Sequence, residues 1–256
     1  MKKFELTAEF VTNVFGKKLF RIKALVAFGN VKKGELGGFI EKEDNLSHSG
    51  NAWVSGDAQV SGDARVSGNA RVSGNARVSG NAWVYGDARV SGNAWVSGDA
   101  RVYGNAWVYG DAQVSGNAWV SGDAQVSGDA WVSGDARVSG NARVSGNARV
   151  YGNAWVSGDA RVSGNARVSG DAQVYGNADY AVVTGFGRYF RATTFFRCKD
   201  KIIRVQCGCF YGDLAQFREI VKKTHGDSKY AKEYLAIADL MELHFSDEEE
   251  NQEAAK

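Results

Sequence analysis

A six-residue pattern dominates the sequence and leaves few folds open to it. Counted in frame from Ser49, the unit is [Ser/Tyr]-Gly-[Asn/Asp]-Ala-X-Val, and it fits 22 consecutive hexads up to Tyr180. Only the last hexad, which ends in Asp179-Tyr180, departs from the X-Val ending. A fixed short period indicates one structural unit stacked many times.

The positions within the hexad predict a short strand followed by a corner. A helix needs apolar residues near a 3.6-residue spacing, which a period of six does not sustain. Alanine and valine stand two residues apart, so they share one face of a strand while X points to the other. The Gly-Asn/Asp pair is expected to make the corner, because glycine adopts positive φ freely and Asn and Asp tolerate it better than other residues. Strands and corners in alternation, with Val and Ala inside, predict a parallel β-helix.

Started at valine, the hexad reads aliphatic, any residue, Gly, Asn/Asp, small, any residue. It resembles the hexapeptide repeat of left-handed β-helix proteins, and the resemblance covers about half of the chain. It implies a left-handed, triangular coil in which three hexads, 18 residues, close one turn. On that basis the 22 hexads form about seven coils.

Stacked at 18 residues, the X positions form three rows along the rod. All seven tryptophans lie in these rows and none is stacked on another, so each is expected to stack with Arg or Gln neighbours. One corner row alternates Asp and Asn from Asp63 to Asp171, which keeps like charges apart. The first row is Arg65, Trp83, Arg101, Trp119, Arg137, Trp155 and Gln173; the second is Trp53, Arg71, Arg89, Trp107, Gln125, Arg143, Arg161 and Asp179; the third is Gln59, Arg77, Trp95, Gln113, Trp131, Arg149 and Arg167.

These rows allow two interpretations. In the first, Arg, Trp and Gln form a self-supporting ladder on the outside of a rod. In the second, the first row is a binding face for a protein, a sugar or a nucleotide, because Tyr85, Tyr103 and Tyr175 fall beside it. The candidate partner-binding residues are Arg65, Trp83, Tyr85, Arg101, Tyr103, Trp119, Arg137 and Trp155. So many aromatic residues in outward positions also predict a homo-oligomer, dimer or trimer, formed through a coil face or the C-terminal domain.

The repeat is flanked by non-repetitive segments. A stack of identical hexads needs such caps, because the strands of its first and last coils have unpaired backbone groups. Residues 1–48 are predicted to form a β-rich N-terminal cap, with Asn45 and Leu46 already in the corner and alanine positions of the hexad. This segment and the first hexad, Ser49-Gly50-Asn51-Ala52-Trp53-Val54, resemble the N-terminal part of uncharacterised bacterial and phage hexapeptide-repeat proteins of the "polymer-forming" type. That resemblance implies no established activity.

Residues 181–245 are predicted to form a small α+β domain, and residues 246–256 an acidic disordered tail. Two strands, Thr193 to Cys198 and Ile202 to Cys209, are expected around a turn at Lys199-Asp200. A helix begins at Asp213 with capping-box spacing, carries an apolar stripe of Leu214, Phe217, Ile220 and Val221, and ends at Gly226. A second helix spans roughly Ser228 to Phe245, with Tyr230, Tyr234, Ile237 and Met241 on one face. The segment TTFFRCKDKIIRVQCGCFYG resembles C-terminal domains of phage and prophage hexapeptide proteins.

Known enzymatic uses of this fold are not matched by the residues. Acyltransferases of the left-handed β-helix class place a histidine in an outward position and project a loop from a coil, yet no histidine or insertion lies between Ser49 and Tyr180. Cys198, Cys207 and Cys209 are interpreted as buried free thiols rather than a zinc site, because the turn at Asp200 keeps Cys198 far from Cys207. We therefore expect no catalytic residues, no metal and no cofactor.

Composition bounds the partners and the location. The net charge of +2 gives no strong nucleic-acid signal. No leader and no apolar run long enough for a membrane span is seen, and an odd number of cysteines fits a reducing cytoplasm. We expect a non-enzymatic cytoplasmic scaffold or binding protein, encoded by phage or prophage as the resemblance implies and then located in the host cytoplasm. The alternative is a phage inhibitor that captures a host protein or small nucleotide, and an acyltransferase ranks third.

Overall fold

The repeat region forms the predicted solenoid of short strands. The computed structural model describes residues 1–246, and in it every X-Val pair from Trp53 to Val174 is a two-residue strand. In chain order these strands are β4 Trp53–Val54, β5 Gln59–Val60, β6 Arg65–Val66, β7 Arg71–Val72, β8 Arg77–Val78, β9 Trp83–Val84, β10 Arg89–Val90, β11 Trp95–Val96, β12 Arg101–Val102, β13 Trp107–Val108, β14 Gln113–Val114, β15 Trp119–Val120, β16 Gln125–Val126, β17 Trp131–Val132, β18 Arg137–Val138, β19 Arg143–Val144, β20 Arg149–Val150, β21 Trp155–Val156, β22 Arg161–Val162, β23 Arg167–Val168 and β24 Gln173–Val174.

Successive strands of a coil belong to three different parallel sheets. Each strand pairs with the strand three positions along the chain, so that Arg101 lies beside Trp83 on one side and Trp119 on the other. The register is 18 residues throughout the hexads, which confirms the prediction of three hexads per coil and places the X positions in the three predicted rows.

The interior of the solenoid is made by the two invariant apolar positions. From Ala58 to Val174 every alanine and valine of the hexads has 0% of its surface exposed. Because the two side chains alternate with outward residues along each strand, the pattern buries one continuous aliphatic core while leaving X free. The predicted inward placement of Val and Ala is confirmed.

Glycine alone supplies the unusual backbone conformation at the corners. The glycines from Gly50 to Gly170 have φ between 61° and 71°, whereas among the described residues the positive-φ residues other than glycine are Phe190 and Lys201. The expectation that Asn and Asp share the left-handed conformation was therefore wrong. Their role is in the side chain, as Asn81 shows by donating from Nδ2 to Oδ1 of Asp99 one coil away at 2.9 Å.

The N-terminal cap joins the solenoid by extending one of its sheets. Strand β1, Phe4–Thr12, pairs antiparallel with β2, Lys18–Ala24, which pairs with β3, Leu36–Ile40. Strand β3 then runs parallel to β5, so the cap contributes a further turn and the solenoid has about eight turns, one more than the hexads alone predict.

Leu46 does not take the alanine position that the sequence frame predicts. It forms a parallel bridge with Val66, and Ser47 N donates to Val66 O at 2.9 Å, the bond that follows valine in the other coils. Leu46 therefore stands in the valine register. The reason is that the chain between Leu46 and Val54 is two residues longer than one hexad, and the frame from Ser49 does not extend back across it.

Lys3 is buried beneath the first turn and gives the cap a dependence on pH. Its side chain is 3% exposed and donates from Nζ to Ala52 O at 2.9 Å, and burial lowers its pKa from 10.5 to about 8. Between these two pKa values the unfolded chain binds more protons than the folded chain, so stability should rise with pH across this window and be unaffected by Lys3 titration below it. The rise is at most about 1.4 kcal/mol for each pH unit within the window.

The test compares wild type with Lys3→Met in thermal melts at pH 7.5 and 9.5. We expect wild type to gain stability relative to the variant as the pH rises. A difference between the two proteins that stays constant from pH 7.5 to 9.5 would show that Lys3 keeps its ordinary pKa in the folded chain.

The C-terminal region is an antiparallel sheet covered by two helices. The sheet contains β25 Tyr180–Val183, β26 Thr193–Arg197, β27 Ile203–Cys207 and β28 Phe210–Asp213, and the helices are α1 Leu214–His225 and α2 Lys229–Phe245. The predicted hairpin and both helices are present, and the sheet has two strands, β25 and β28, beyond those predicted. Neither helix has the length and apolarity needed to cross a bilayer.

The helices follow the predicted capping but not every predicted contact. Asp213 accepts from Gln216 N at 2.8 Å, and the Gln216 side chain accepts from Asp213 N at 3.0 Å, a reciprocal capping box. Phe217 is buried, whereas Ile220 and Tyr230 are exposed because they lie at the margins of the two apolar stripes. The predicted acidic tail, residues 246–256, lies outside the described residues except for Ser246.

This C-terminal sheet protects the open end of the solenoid. Arg167 N, which has no further coil to bond, donates to Thr194 Oγ1 of β26 at 2.9 Å. Within the repeat itself, Arg161 N donates to Asn177 Oδ1 of the last hexad at 2.9 Å. Backbone donors at a strand edge would otherwise pair with another chain. The non-repetitive flanks thus act as caps, as the repeat requires.

Candidate functional site

The first row is a chain of alternating guanidinium and indole groups. The Arg101 guanidinium lies 5.6 Å from the Trp83 ring centre on one side and 5.2 Å from that of Trp119 on the other. Arg65 lies 5.8 Å from the Trp83 ring, and Arg137 lies 5.0 Å from the Trp119 ring. Four such contacts in succession hold five side chains in one rigid line, and each contact contributes roughly 0.5–1 kcal/mol at an exposed site.

Tyrosines extend this line sideways into a broader aromatic surface. Tyr85 and Tyr103 stack in parallel, with ring centres 4.9 Å apart and planes 3° from each other. Trp83 meets Tyr85 edge-on at 6.4 Å, and Trp119 meets Tyr103 in the same way at 6.4 Å. Burial raises the pKa of Tyr85, and the neighbouring Tyr103 adds to the shift. Like an ordinary phenol, its hydroxyl is neutral at neutral pH and can donate a hydrogen bond.

The structure therefore brings together seven of the eight candidate residues. We call this set the first-row surface: Arg65, Trp83, Tyr85, Arg101, Tyr103, Trp119 and Arg137. Trp155 lies further along the same row, where its ring meets Tyr175 edge-on at 6.1 Å.

The position after valine has a role that the sequence did not reveal. Where it is serine, its hydroxyl can accept a bond from the indole N–H of the next coil: Trp95 donates to Ser79 at 3.1 Å and Trp131 to Ser115 at 3.2 Å. Trp119 faces Tyr103 at the equivalent position and makes a ring contact instead. Serine thus fixes indoles on all three rows, since Trp155 of the first row donates to Ser139 at 3.2 Å, while tyrosine widens the aromatic surface around Trp83 and Trp119.

Two tryptophans outside the first row have surroundings unlike those of the other outward-facing tryptophans. Trp53 stands in an X position but is 3% exposed, because the N-terminal cap covers it and Phe28 packs edge-on against its ring at 5.4 Å. Trp107 carries Tyr109 beside it at 4.8 Å and Arg89 over its ring at 6.0 Å, so the second row has a smaller aromatic cluster.

The cysteines are placed apart from the first-row surface. Cys198 is buried, and burial raises its pKa to about 11, which leaves a protonated thiol. Thr193 Oγ1 contacts Cys207 Sγ at 3.2 Å. Cys209 is exposed, so the expectation that all three are buried was wrong: β27 ends at Cys207, and Gly208, with φ of 60°, turns the chain before Cys209.

The three parallel sheets and their stacked outer rows define a β-solenoid repeat protein with a β-rich N-terminus and a small α+β C-terminal region. Nine segments of the repeat match the family model described as the YdcK beta solenoid repeat: residues 58–73, 70–86, 82–98, 94–110, 112–128, 124–140, 136–147, 142–158 and 160–176. The match supports a repeat β-helix scaffold and concerns the hexads alone. No curated protein matches the chain.

Proposed function

We propose that the protein is a non-enzymatic scaffold that associates with a second copy of itself through the first-row surface. The observation that carries this proposal is the parallel pair Tyr85 and Tyr103 with a tryptophan edge-on at each end. These rings and the arginines beside them are held before any partner arrives, so little side-chain entropy is lost on binding. Tryptophan, tyrosine and arginine are also the residues that most often carry the energy of protein interfaces.

The side chains of this surface are suited to binding a partner rather than to catalysis. Indole, phenol and guanidinium groups include no activated nucleophile and no acid or base poised near neutral pH. A left-handed winding, a phage or prophage origin and a cytoplasmic location remain predictions that rest on the resemblance and on composition.

Replacing Trp119 tests whether the surface binds or only supports itself. Trp119→Ala removes the ring between Arg101 and Arg137, and we expect self-association to weaken by about 2 kcal/mol or more, roughly thirtyfold. The free energy of unfolding should fall by about 1–2 kcal/mol for the two lost arginine contacts and by about 0.5–1.5 kcal/mol for the lost edge-on contact with Tyr103. Sedimentation velocity over a concentration series and thermal melting provide the two measurements.

Trp95→Ala is the matched control, because Trp95 is equally half-buried but lies on the third row and donates to Ser79. It should lose some stability and leave association unchanged. If the two variants associate equally strongly, the first row is only a self-supporting ladder of side chains and not an interface.

A further inference from the structure

The end of the third row faces a loop of the C-terminal region across a cleft. The loop runs from residue 184 to 192, between β25 and β26, and the cavity beneath it has a volume of about 410 Å³. Arg149 and Arg167 line one wall, while Tyr189, Phe190 and Arg191 line the other. This size is within the range of sites for small molecules, roughly 300–1,000 Å³.

The cleft is positively charged and holds no acid. Arg149, Arg167 and Arg191 line it without a carboxylate among the lining residues, and none of the three makes an ion pair with a described residue. Arg167 is positioned by donating from Nη1 to Gly208 O at 3.5 Å, and its other guanidinium donors have no hydrogen-bond partner among residues 1–246. Three guanidinium groups without a carboxylate partner indicate an anionic ligand.

This arrangement is absent from the other places where two arginines stack. Arg71 and Arg89 are neighbours on the second row, as are Arg143 and Arg161. Each of those pairs has an aspartate in one of its two hexad corners, whereas the hexads of Arg149 and Arg167 carry Asn147 and Asn165. The charge of the third-row pair is therefore not offset by its own corners.

Aromatic rings flank the arginines on both sides. Tyr189 is 62% and Phe190 is 70% exposed, and Arg191 lies 4.9 Å from the Tyr189 ring centre. A second cavity of about 250 Å³ shares Arg149 and Arg167 and is lined by Trp131 and Tyr151. Flat rings beside guanidinium groups bind a ligand that combines phosphate with an aromatic ring.

We propose that this cleft binds a nucleoside phosphate. Arg149, Arg167 and Arg191 bind the phosphates, and the base stacks on the rings of Tyr189 and Phe190. An inorganic anion would use the arginines alone and would leave the rings without a role. The site is separate from the first-row surface, so it does not depend on the proposed self-association.

Isothermal titration with ATP, tripolyphosphate and adenosine at low ionic strength tests the ligand class. We expect ATP to bind at least tenfold more tightly than tripolyphosphate and far more tightly than adenosine, because both parts of the ligand contribute. Failure of ATP to bind at millimolar concentration would overturn the proposal. Tighter binding of a thymidine oligonucleotide than of ATP would also overturn it, in favour of single-stranded nucleic acid.

Arg149→Ala and Arg89→Ala form a matched pair of variants. Both arginines stack on a neighbouring arginine and lie over a tryptophan ring, at 5.6 Å for Arg149 and 6.0 Å for Arg89, but only Arg149 lines the cleft. We expect Arg149→Ala to weaken ATP binding at least tenfold and Arg89→Ala to leave it unchanged. Equal effects of the two variants would contradict the site.

Phe190→Gly tests the ring without disturbing the backbone. Phe190 has φ of 52°, a conformation that glycine adopts without strain, so the variant should fold at least as well as wild type. We expect weaker ATP binding and unchanged tripolyphosphate binding. Unchanged ATP binding would remove the ring from the site and contradict a nucleoside ligand.

Discussion

Gly116→Ala is expected to lower the free energy of unfolding by roughly 2–5 kcal/mol. Gly116 has φ of 65°, which costs an alanine about 1–2 kcal/mol. The added Cβ would also lie 3.0 Å from the backbone nitrogen and 3.1 Å from the carbonyl oxygen of Gly134 in the next coil, which is tighter than most Cβ contacts in proteins. The backbone of the next coil must shift by a few tenths of an ångström to make room, and this crowding adds roughly 1–3 kcal/mol.

Gly164→Ala separates these two effects. Gly164 has φ of 64°, but it lies at the end of the solenoid and a Cβ there would have no atom within 4 Å. We expect this variant to show only the conformational cost, so that urea unfolding followed by circular dichroism finds Gly116→Ala clearly less stable. Equal losses would mean that close stacking of the corners does not restrict the hexad to glycine.

Asn45→Ala is expected to destabilise the N-terminal cap by roughly 3–4 kcal/mol. Asn45 is fully buried, and its Nδ2 donates to Gly62 O at 3.0 Å and to Ala64 O at 2.8 Å. Elsewhere in the solenoid the equivalent carbonyls accept from backbone N–H groups of the preceding coil, as Gly68 O accepts from Asn51 N. Alanine would leave the buried Ala64 O without a partner, at about 1–3 kcal/mol, and would also free Gly62 O and the N–H of Lys42, whose bonds are partly buried and whose loss costs about 0.5–1 kcal/mol each.

Asn105→Ala is the control for this prediction. Asn105 is an exposed corner residue that donates to Asp123 Oδ1 at 2.9 Å, so its loss should cost no more than about 0.5 kcal/mol. Thermal melting with hydrogen exchange of the Trp53 region reports the cap directly. A loss for Asn45→Ala as small as that for Asn105→Ala would show that water bonds to the carbonyls of Gly62 and Ala64 as well as the Asn45 side chain does.

The strands, the inward residues and the register of the repeat could be predicted, because the six-residue period indicates strands and corners and the resemblance to hexapeptide-repeat proteins implies three hexads in each coil. Once three hexads close a coil, arithmetic places Arg101 between Trp83 and Trp119, and the structure has that register. The ends could be predicted only in outline. Leu46 takes the valine register because of two extra residues, a local detail that no periodicity reports.

The surroundings of individual side chains depend on how the non-repetitive flanks fold back on the rod. Trp53 looks like any other X residue in the sequence, yet the cap buries it. The cleft near Arg149 and Arg167 was missed for the same reason, since the loop that carries Tyr189 reaches it only through tertiary packing. The sequence offered one signal: the hexads of Arg149 and Arg167, which stack on each other in the third row, both carry Asn at the corner.

The central claim, that this solenoid is a scaffold that associates with itself, is tested most directly by its mass in solution. Light scattering coupled to size exclusion at micromolar concentration and near-physiological salt measures that mass without a label. The account predicts twice the chain mass of 27.6 kDa. A mass of 27.6 kDa that does not change with concentration would contradict it.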